Sequence, residues 1–306
     1  MSRAIITGAT GAIGVALIKE LVANGVEVLV LCREKSTRNR NIIEHPLVTK
    51  KLCSLEQLAN IENDTGKIYD FFFHLAWEGT VGNARNNMYI QNKNVQYVLE
   101  AIDVAVRFGC SKFIGIGSQA EYGKVDGVIN MNTPTNPITG YGMAKLCAGL
   151  MAKEYASQRG IQFNWIRVLS VYGPCDYEKS MIMTVISKLK KNEEPMLTLG
   201  EQLWDYLYSE DAARAIYGVA LRGKKGKTYV LGGGEVRTIS SYVDVIHERV
   251  NPTCGIALGA IPYSDNQIMH LQADITELIS DISWKPMIGF EEGIERVLHY
   301  MEEVQD

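Results

Sequence analysis

The chain of 306 residues carries 31 lysines and arginines against 35 aspartates and glutamates, which gives a formal net charge of -4 at pH 7. It has no block of lysines and arginines that would follow a phosphate backbone, which argues against a nucleic-acid partner. The six cysteines are scattered without a Cys-x-x-Cys pair, and the five histidines are isolated. This pattern argues against a zinc site and against a disulfide framework, so no metal is predicted.

The N-terminal stretch MSRAIITG enters an apolar strand without the basic region and cleavage site of a signal peptide. No apolar run reaches the length that crosses a membrane. We therefore expect a cytoplasmic protein that does not bind a membrane. A chain of this length buries a large core, either as one α/β domain or as a domain with an added lobe.

Short apolar runs alternate with helical patterns in the first half of the chain. RAIIT, VEVLVLC, YDFFFHLA and KFIGIGS are strand-like, while AIGVALIKELVANG and NVQYVLEAIDVAVRFG have helical spacing. Such alternation is typical of parallel strands joined by crossover helices. It predicts an α/β fold with a doubly wound parallel sheet.

The regular alternation ends in the second half of the chain. A helical pattern stops at Gly160, FNWIRVLSVYG supplies another strand, and turn-rich sequence follows Tyr172. The stretch TYVLGGGEVRTISSYVDVIHERV then resumes a strand, a glycine turn and a helix. We expect a dinucleotide-binding domain of residues 1–172 and about 203–232, with a smaller interwoven substrate-binding lobe of about 173–202 and 233–306.

The stretch TGATGAIG, residues 7–14, follows the first strand and opens the first helix. Gly8 permits a tight turn, Gly11 lets the backbone approach a pyrophosphate, and Gly14 allows close helix packing. The free N–H groups at the helix N-terminus favour an anion there. The spacing is Gly-x-x-Gly-x-x-Gly and predicts a dinucleotide site, although a glycine-rich turn without a ligand is the alternative.

The second strand ends at Cys32 and Arg33, where a site for NAD usually carries an acidic residue that binds the ribose hydroxyls. An arginine there pairs with the 2′-phosphate of NADP. Arg33, with Lys35 or Arg38 nearby, therefore favours NADP over NAD. A solvated surface charge is the alternative interpretation.

Tyr141 and Lys145 in YGMAK are four residues apart on a predicted helix, so their side chains share one face. An ammonium beside a phenol is expected to lower the pKa of the phenol towards the range of a general acid or base. An ordinary tyrosine on an amphipathic helix would give the same spacing.

These stretches together resemble the extended short-chain dehydrogenase/reductase family, the nucleotide-sugar epimerases, dehydratases and reductases. The resemblance covers nearly the whole chain and rests, in the order of that family, on TGATGAIG, HLAW, Asn94 in NKNV, GSQAEYG, YGMAK, RVLSVYGP, WDYLYSEDAARA and YVLGGG. It implies a Rossmann fold, a nucleotide-sugar substrate and a homodimer formed through two helices.

The resemblance also implies roles for single residues. Ser118 hydrogen-bonds the reacting oxygen, Tyr141 exchanges the proton and Lys145 holds the nicotinamide ribose. Without the resemblance, GSQAEYG would be read as a turn, and Glu121 within it supports the loop or the contact with the lobe, a substrate contact being the alternative. The predicted cofactor-binding residues are Gly8, Thr10, Gly11, Ile13, Gly14, Arg33, Leu75, Ala76, Asn94, Tyr141 and Lys145.

Some positions depart from the family pattern. Ser170 stands where an asparagine is frequent, Trp204 where an arginine is frequent, and Ser264 where many members carry an arginine. These positions commonly line the nucleotide, so its base stays open. The predicted substrate-binding residues are Trp77, Arg85, Gln119, Ser170 and Trp204, with a packed indole and a solvated cation as the alternatives for Trp77 and Arg85.

Gln119 and Ala120 directly follow Ser118, where the 4,6-dehydratases of the family carry acidic side chains, so dehydration is disfavoured. We expect NADPH-dependent reduction of the 4-keto group of a nucleotide-linked 4-keto-6-deoxyhexose. A 4-epimerase with bound NAD is the alternative. A cofactor-binding regulator without chemistry is a third hypothesis, against which the intact Tyr141 and Lys145 pair argues.

Overall fold

A computed structural model describes residues 1–265 and 267–303. Its strands are, in chain order, β1 (Arg3–Thr7), β2 (Glu27–Cys32), β3 (Val48–Leu52), β4 (Phe71–His74), β5 (Lys112–Ser118), β6 (Gly127–Ile129), β7 (Gln162–Val168), β8 (Ser170–Tyr172), β9 (Leu203–Trp204), β10 (Tyr206–Tyr208), β11 (Thr228–Leu231), β12 (Arg237–Thr238) and β13 (His270–Ala273). Its α-helices are α1 (Ala12–Ala23), α2 (Met88–Arg107), α3 (Gly140–Gln158), α4 (Met181–Lys190), α5 (Ser209–Arg222), α6 (Ile239–Val250), α7 (Thr276–Ile282) and α8 (Phe290–Glu303).

Among the described residues, seven parallel strands form the large sheet in the order β11-β7-β5-β4-β1-β2-β3. Helices α2 and α3 pack on one face, and α1, α5 and α7 pack on the other. Both faces are therefore covered, which is why the apolar run of β4 is buried at all of its positions. This architecture confirms the predicted Rossmann-type α/β fold.

The strand order reverses between β1 and β4, because β2 and β3 lie to one side of β1 while β4, β5, β7 and β11 lie to the other. Ligands of open parallel sheets bind at the carboxyl ends of the strands on either side of such a reversal. The ends of β1, β4 and β5 therefore define the crevice in which the site is built.

Side-chain caps fix where the two helices beside the crevice begin. The Asn87 side chain accepts hydrogen bonds from the first turn of α2, and the Thr139 hydroxyl accepts one from Gly142 N at 3.1 Å. An N-cap of this kind satisfies N–H groups that have no partner within the helix. The cap at Thr139 thereby sets the position of Tyr141 in the first turn of α3.

The second half of the chain differs in part from the sequence prediction. The core sheet does not extend to residue 172, because β7 ends at Val168 and β8 pairs with β10 outside the large sheet. Of the segment 203–232, the strand β11 joins the large sheet. Elsewhere in the described residues, β12, β9, β13 and β6 form a smaller sheet beside a core that α4, α6 and α8 contribute to. The division into domains stays a prediction.

Within the residues that the structure describes, no helix combines the length and the apolar character that crossing a membrane requires. In the same residues, no group of three or more His, Cys, Asp and Glu side chains is arranged to hold a metal ion.

Candidate active site

The glycine turn after β1 is packed against the end of β4. Gly8 has a φ of +73°, and a Cβ built on it would lie 2.5 Å from Ala76 N. A Cβ on Gly14 would lie 2.4 Å from Gly8 O, whereas one on Gly11 meets no heavy atom of the described residues within 4 Å. Two of the glycines thus close the turn, and the third leaves its outer side open, as approach of a pyrophosphate requires.

A cavity of about 690 Å³ extends from this turn to the ends of β2, β3 and β4. Of the predicted cofactor residues, its wall contains Gly8, Thr10, Gly11, Arg33, Leu75 and Ala76. Ile13, Gly14 and Asn94 lie behind that wall, where Ile13 packs on the core and Gly14 is buried in the first turn of α1. The cavity has the size of a cofactor site.

Asn94 supports the wall indirectly. Its amide group donates to Glu78 O at 3.0 Å and accepts from Glu78 N at 2.8 Å, and the residue is 1 % exposed. The neighbouring Trp77 donates through Nε1 to Gln91 Oε1 at 2.9 Å. Two polar side chains of α2 therefore hold the loop after β4, and the binding of a cofactor by Asn94 stays a prediction.

Sequence analysis missed the part of the wall that follows β3, which comprises Cys53, Ser54, Leu55, Glu56 and Leu58. The strand β3 (VTKKL) is an edge strand with partly exposed side chains, so it lacks the apolar run that marks the other strands. The position of β3 beside β2 could have indicated this part of the wall, because the carboxyl ends of neighbouring parallel strands meet at one edge of the sheet.

At the end of β2, Arg33 and Arg38 lie in the cavity wall together with Ser36 and Asn39. Asn39 Nδ2 donates to Arg33 O at 2.7 Å, which fixes the backbone of the turn. Both arginine side chains are exposed. A cation is therefore available where the predicted 2′-phosphate would lie.

The structure brings the three predicted catalytic residues together at the crevice. Ser118 ends β5, and Tyr141 and Lys145 project from α3. Lys145 Nζ donates to Ile116 O at 2.6 Å and lies 3.8 Å from the centre of the Trp77 ring. Lysine and tyrosine are thus neighbours, with Nζ 5.8 Å from the centre of the Tyr141 ring.

The expected pKa shift of the phenol is wrong in direction. Burial raises the pKa of Tyr141, and the Ser118 hydroxyl and the Arg85 guanidinium offset this only in part. Burial also lowers the pKa of Lys145 to about 7. Helical spacing predicts that the two groups are close, but it does not report how far burial disfavours both charged forms.

Two predicted substrate residues flank the tyrosine. The Trp77 ring meets the Tyr141 ring edge-on with centroids 6.0 Å apart, and the Arg85 Cζ lies 4.4 Å from the centre of the Tyr141 ring. Gln119 follows Ser118 in a short helical turn and is half-buried. Trp77 and Arg85 thus lie against the Tyr141 ring, and Gln119 lies next to Ser118 in the chain.

The other two predicted substrate residues are hydrogen-bonded to each other. Trp204 Nε1 donates to Ser170 Oγ at 2.8 Å, which joins β9 to β8. Because the two residues are 34 positions apart in sequence, this hydrogen bond is not visible in a local pattern. Two of the three departures from the family pattern, Ser170 and Trp204, thus contact each other.

Comparison with known proteins identifies the family from a match over residues 4–232 to the model of the NAD dependent epimerase/dehydratase family. The chain belongs to this family. The resemblance to the extended short-chain dehydrogenases/reductases is thereby confirmed.

Proteins that are similar to this chain align with nearly all of its residues. The CDP-abequose synthase of Salmonella typhimurium is 26 % identical over 303 residues, which are 96 % of each chain. The UDP-glucose 4-epimerase of Thermotoga maritima, solved with UDP-glucose, is 21 % identical with a TM-score of 0.87 over 99 % of this chain and 100 % of its own. The UDP-glucuronic acid 4-epimerase of Bacillus cereus, solved with NAD, is 19 % identical with a TM-score of 0.85 over 99 % of this chain and 97 % of its own.

Proposed function

We propose that this protein is a nucleotide-sugar 4-epimerase that uses a bound nicotinamide cofactor. The observation that carries the proposal is the group of Ser118, Tyr141 and Lys145 at the crevice beside the 690 Å³ cavity, without an acidic side chain at Gln119 or Ala120. Similarity to 4-epimerase structures, among them the two compared above, supports the epimerase over the reductase that the sequence favours.

The chain's own residues would handle the proton and the orientation of the sugar. Tyr141 would take the proton of the C4 hydroxyl and return it, while the Ser118 hydroxyl hydrogen-bonds the same oxygen. Lys145 would hold the ribose beside them, and Trp77 and Arg85 would bound the sugar. The bound cofactor supplies the acceptor and donor of the C4 hydride.

The test is incubation of the purified protein, without added cofactor, with UDP-, dTDP-, CDP- and GDP-linked hexoses, followed by separation of the C4 epimers. We expect one pair of epimers to interconvert, and we expect the denatured protein to release NAD. Tyr141→Phe is the matched control for a contaminating epimerase. Preparations that convert no hexose but consume NADPH with a 4-keto-6-deoxyhexose would refute the proposal.

A second candidate is the NADPH-dependent 4-keto reductase. Arg33 in the cavity wall, the missing acid at the end of β2 and the similarity to CDP-abequose synthase favour it. The two candidates differ in cofactor, because an epimerase retains its cofactor through a complete cycle whereas a reductase exchanges it.

The reductase candidate predicts that Arg33→Ala weakens NADPH binding by about tenfold or more, since a charge-assisted hydrogen bond to phosphate is worth about 1.5–3 kcal/mol. NADH binding should stay within about twofold, because NADH has no phosphate for the guanidinium. Titration calorimetry with both cofactors measures the difference. Arg40→Ala, an exposed arginine farther along the same segment and outside this cavity wall, is the control. Equal losses for both cofactors would exclude a phosphate contact at Arg33.

We further propose that the protein is a homodimer joined through α2 and α3. The outer face of α3 carries apolar side chains at helical spacing, with Leu150 62 % and Met143 48 % exposed and Cys147 and Met151 beside them. We expect Leu150→Glu to yield monomers in analytical ultracentrifugation, because a buried charge without a partner opposes association. Met287→Glu, at an exposed site outside this face, should leave the mass unchanged. A monomeric native protein would refute the proposed dimer.

A further inference from the structure

A buried carboxylate lies directly beneath the predicted catalytic serine. Glu121 is 0 % exposed and follows Ser118 by three residues in the short helical turn Gln119–Glu121. Its Oε1 accepts hydrogen bonds from Ser118 N at 2.9 Å and from Trp165 Nε1 at 3.0 Å. Its Oε2 accepts one from Arg167 Nε at 2.6 Å. A substrate contact of Glu121 is therefore wrong as an alternative, and the loop-supporting role is confirmed.

The surroundings of this carboxylate are built to accommodate it. A Cβ on Gly117 would lie 2.3 Å from both Glu121 Oε1 and Trp165 Nε1, so only glycine leaves room for the group under the end of β5. The Arg167 side chain is 10 % exposed, and its guanidinium lies 4.7 Å from the centre of the Tyr122 ring. A carboxylate without such partners would be costly to bury.

The same short segment of β5 contacts the other catalytic groups. Ile116 O accepts the hydrogen bond of Lys145 Nζ, and Ser118 Oγ accepts one from Ala120 N at 3.2 Å and faces the Tyr141 phenol. Whatever fixes the backbone at the end of β5 therefore fixes the serine hydroxyl relative to tyrosine and lysine.

We propose that Glu121 is a positioning residue, whose bond to Ser118 N aims the serine hydroxyl at the oxygen that Tyr141 protonates. This inference rests on the proposed function of Ser118. A purely structural ion pair of Glu121 and Arg167 is the competing explanation. The two explanations differ in whether loss of activity follows loss of stability.

Two variants separate positioning from stability. Glu121→Leu combined with Arg167→Leu removes both charges together, a change that is often neutral for folding, but it also removes the acceptor for Ser118 N. Glu121→Gln keeps an oxygen for Ser118 N but places an amide against Arg167 Nε. We expect the paired variant to unfold at a somewhat lower temperature, because Ser118 N and Trp165 Nε1 lose their buried acceptor, with kcat reduced about tenfold or more, as loss of an aligned donor typically produces. We expect Glu121→Gln to unfold at a lower temperature with kcat within about threefold of wild type.

A third comparison tests whether Glu121 acts through the serine. In a Ser118→Ala background, the paired replacement should lower kcat by less than about twofold, because residues that act as one unit are not additive. Cofactor affinity should be unchanged in every variant. Equal fold losses with and without Ser118, or a paired variant that retains wild-type kcat, would overturn the inference.

Hydrogen exchange of the Ser118 amide provides a readout without turnover. We expect exchange at least about tenfold faster in the paired variant and near wild type in Glu121→Gln, because loss of a protecting hydrogen bond permits local opening. If the wild-type protein turns over no nucleotide sugar, the proposed function fails, but this measurement still tests whether Glu121 holds the backbone at Ser118. An unchanged exchange rate in the paired variant would refute it.

Discussion

Replacing Tyr141 with phenylalanine is expected to lower turnover about a hundredfold or more, as removal of a general acid or base typically does. The ring would keep its edge-on contact with Trp77 and its place under Arg85. Only the hydroxyl that faces Ser118 is lost. Steady-state kinetics on the nucleotide sugar found in the substrate panel measures the effect.

Cofactor affinity and unfolding temperature should barely change in this variant, because Phe fills the same space. Tyr155→Phe on the same helix is a matched control, since its hydroxyl bonds Asp103 away from the crevice. Near-native turnover of Tyr141→Phe would show that another group moves the proton.

Gly14→Ala is expected to disrupt the glycine turn. The added Cβ would lie 2.4 Å from Gly8 O and 2.7 Å from Ala9 Cα, both backbone atoms that yield only if the turn moves. Overpacking of this kind costs about 1–3 kcal/mol or more, and the better helix propensity of alanine returns only about 1 kcal/mol. We expect a lower unfolding temperature and cofactor affinity reduced by more than about tenfold, measured by calorimetry.

Gly11→Ala separates the effect of a glycine in this turn on folding stability from its effect on cofactor binding. Its Cβ meets no described atom within 4 Å, and the residue has an ordinary φ of -92°. Unfolding of the cofactor-free protein should change by less than about 1 kcal/mol, as for a modest change at a helix N-cap. Cofactor binding should nevertheless fall, because the methyl group points to where the pyrophosphate would approach. Full cofactor affinity in Gly11→Ala would place the pyrophosphate elsewhere.

The sequence predicts most of the large sheet because its strands are buried on both faces. FFFH in β4 and KFIGIGS in β5 are continuous apolar runs, and the glycine turn and the Tyr141–Lys145 spacing are local signals. Lys50 and Lys51 interrupt the apolar pattern in the edge strand β3. For this reason neither β3 nor the cavity wall that follows it was predicted.

Properties that depend on contacts between residues distant in the chain could not be predicted from the sequence. The direction of the Tyr141 pKa shift depends on burial, and the Trp204–Ser170 bond joins separate strands. The role of Glu121 depends on Trp165 and Arg167 of β7, which no spacing near Ser118 reveals. Local motifs therefore predicted the residues Ser118, Tyr141 and Lys145 that the fold brings together, whereas their electrostatics required the packed fold.

The most direct test of the proposed epimerase is the fate of the C4 hydrogen. Nucleotide-linked hexoses deuterated at C4 are incubated with the purified protein without added cofactor, and the products are examined by NMR. We predict a C4 epimer that retains deuterium at C4, because the hydride returns to the sugar from which it came. Hexoses that stay unchanged while unlabelled 4-keto-6-deoxyhexoses consume added NADPH would contradict the epimerase.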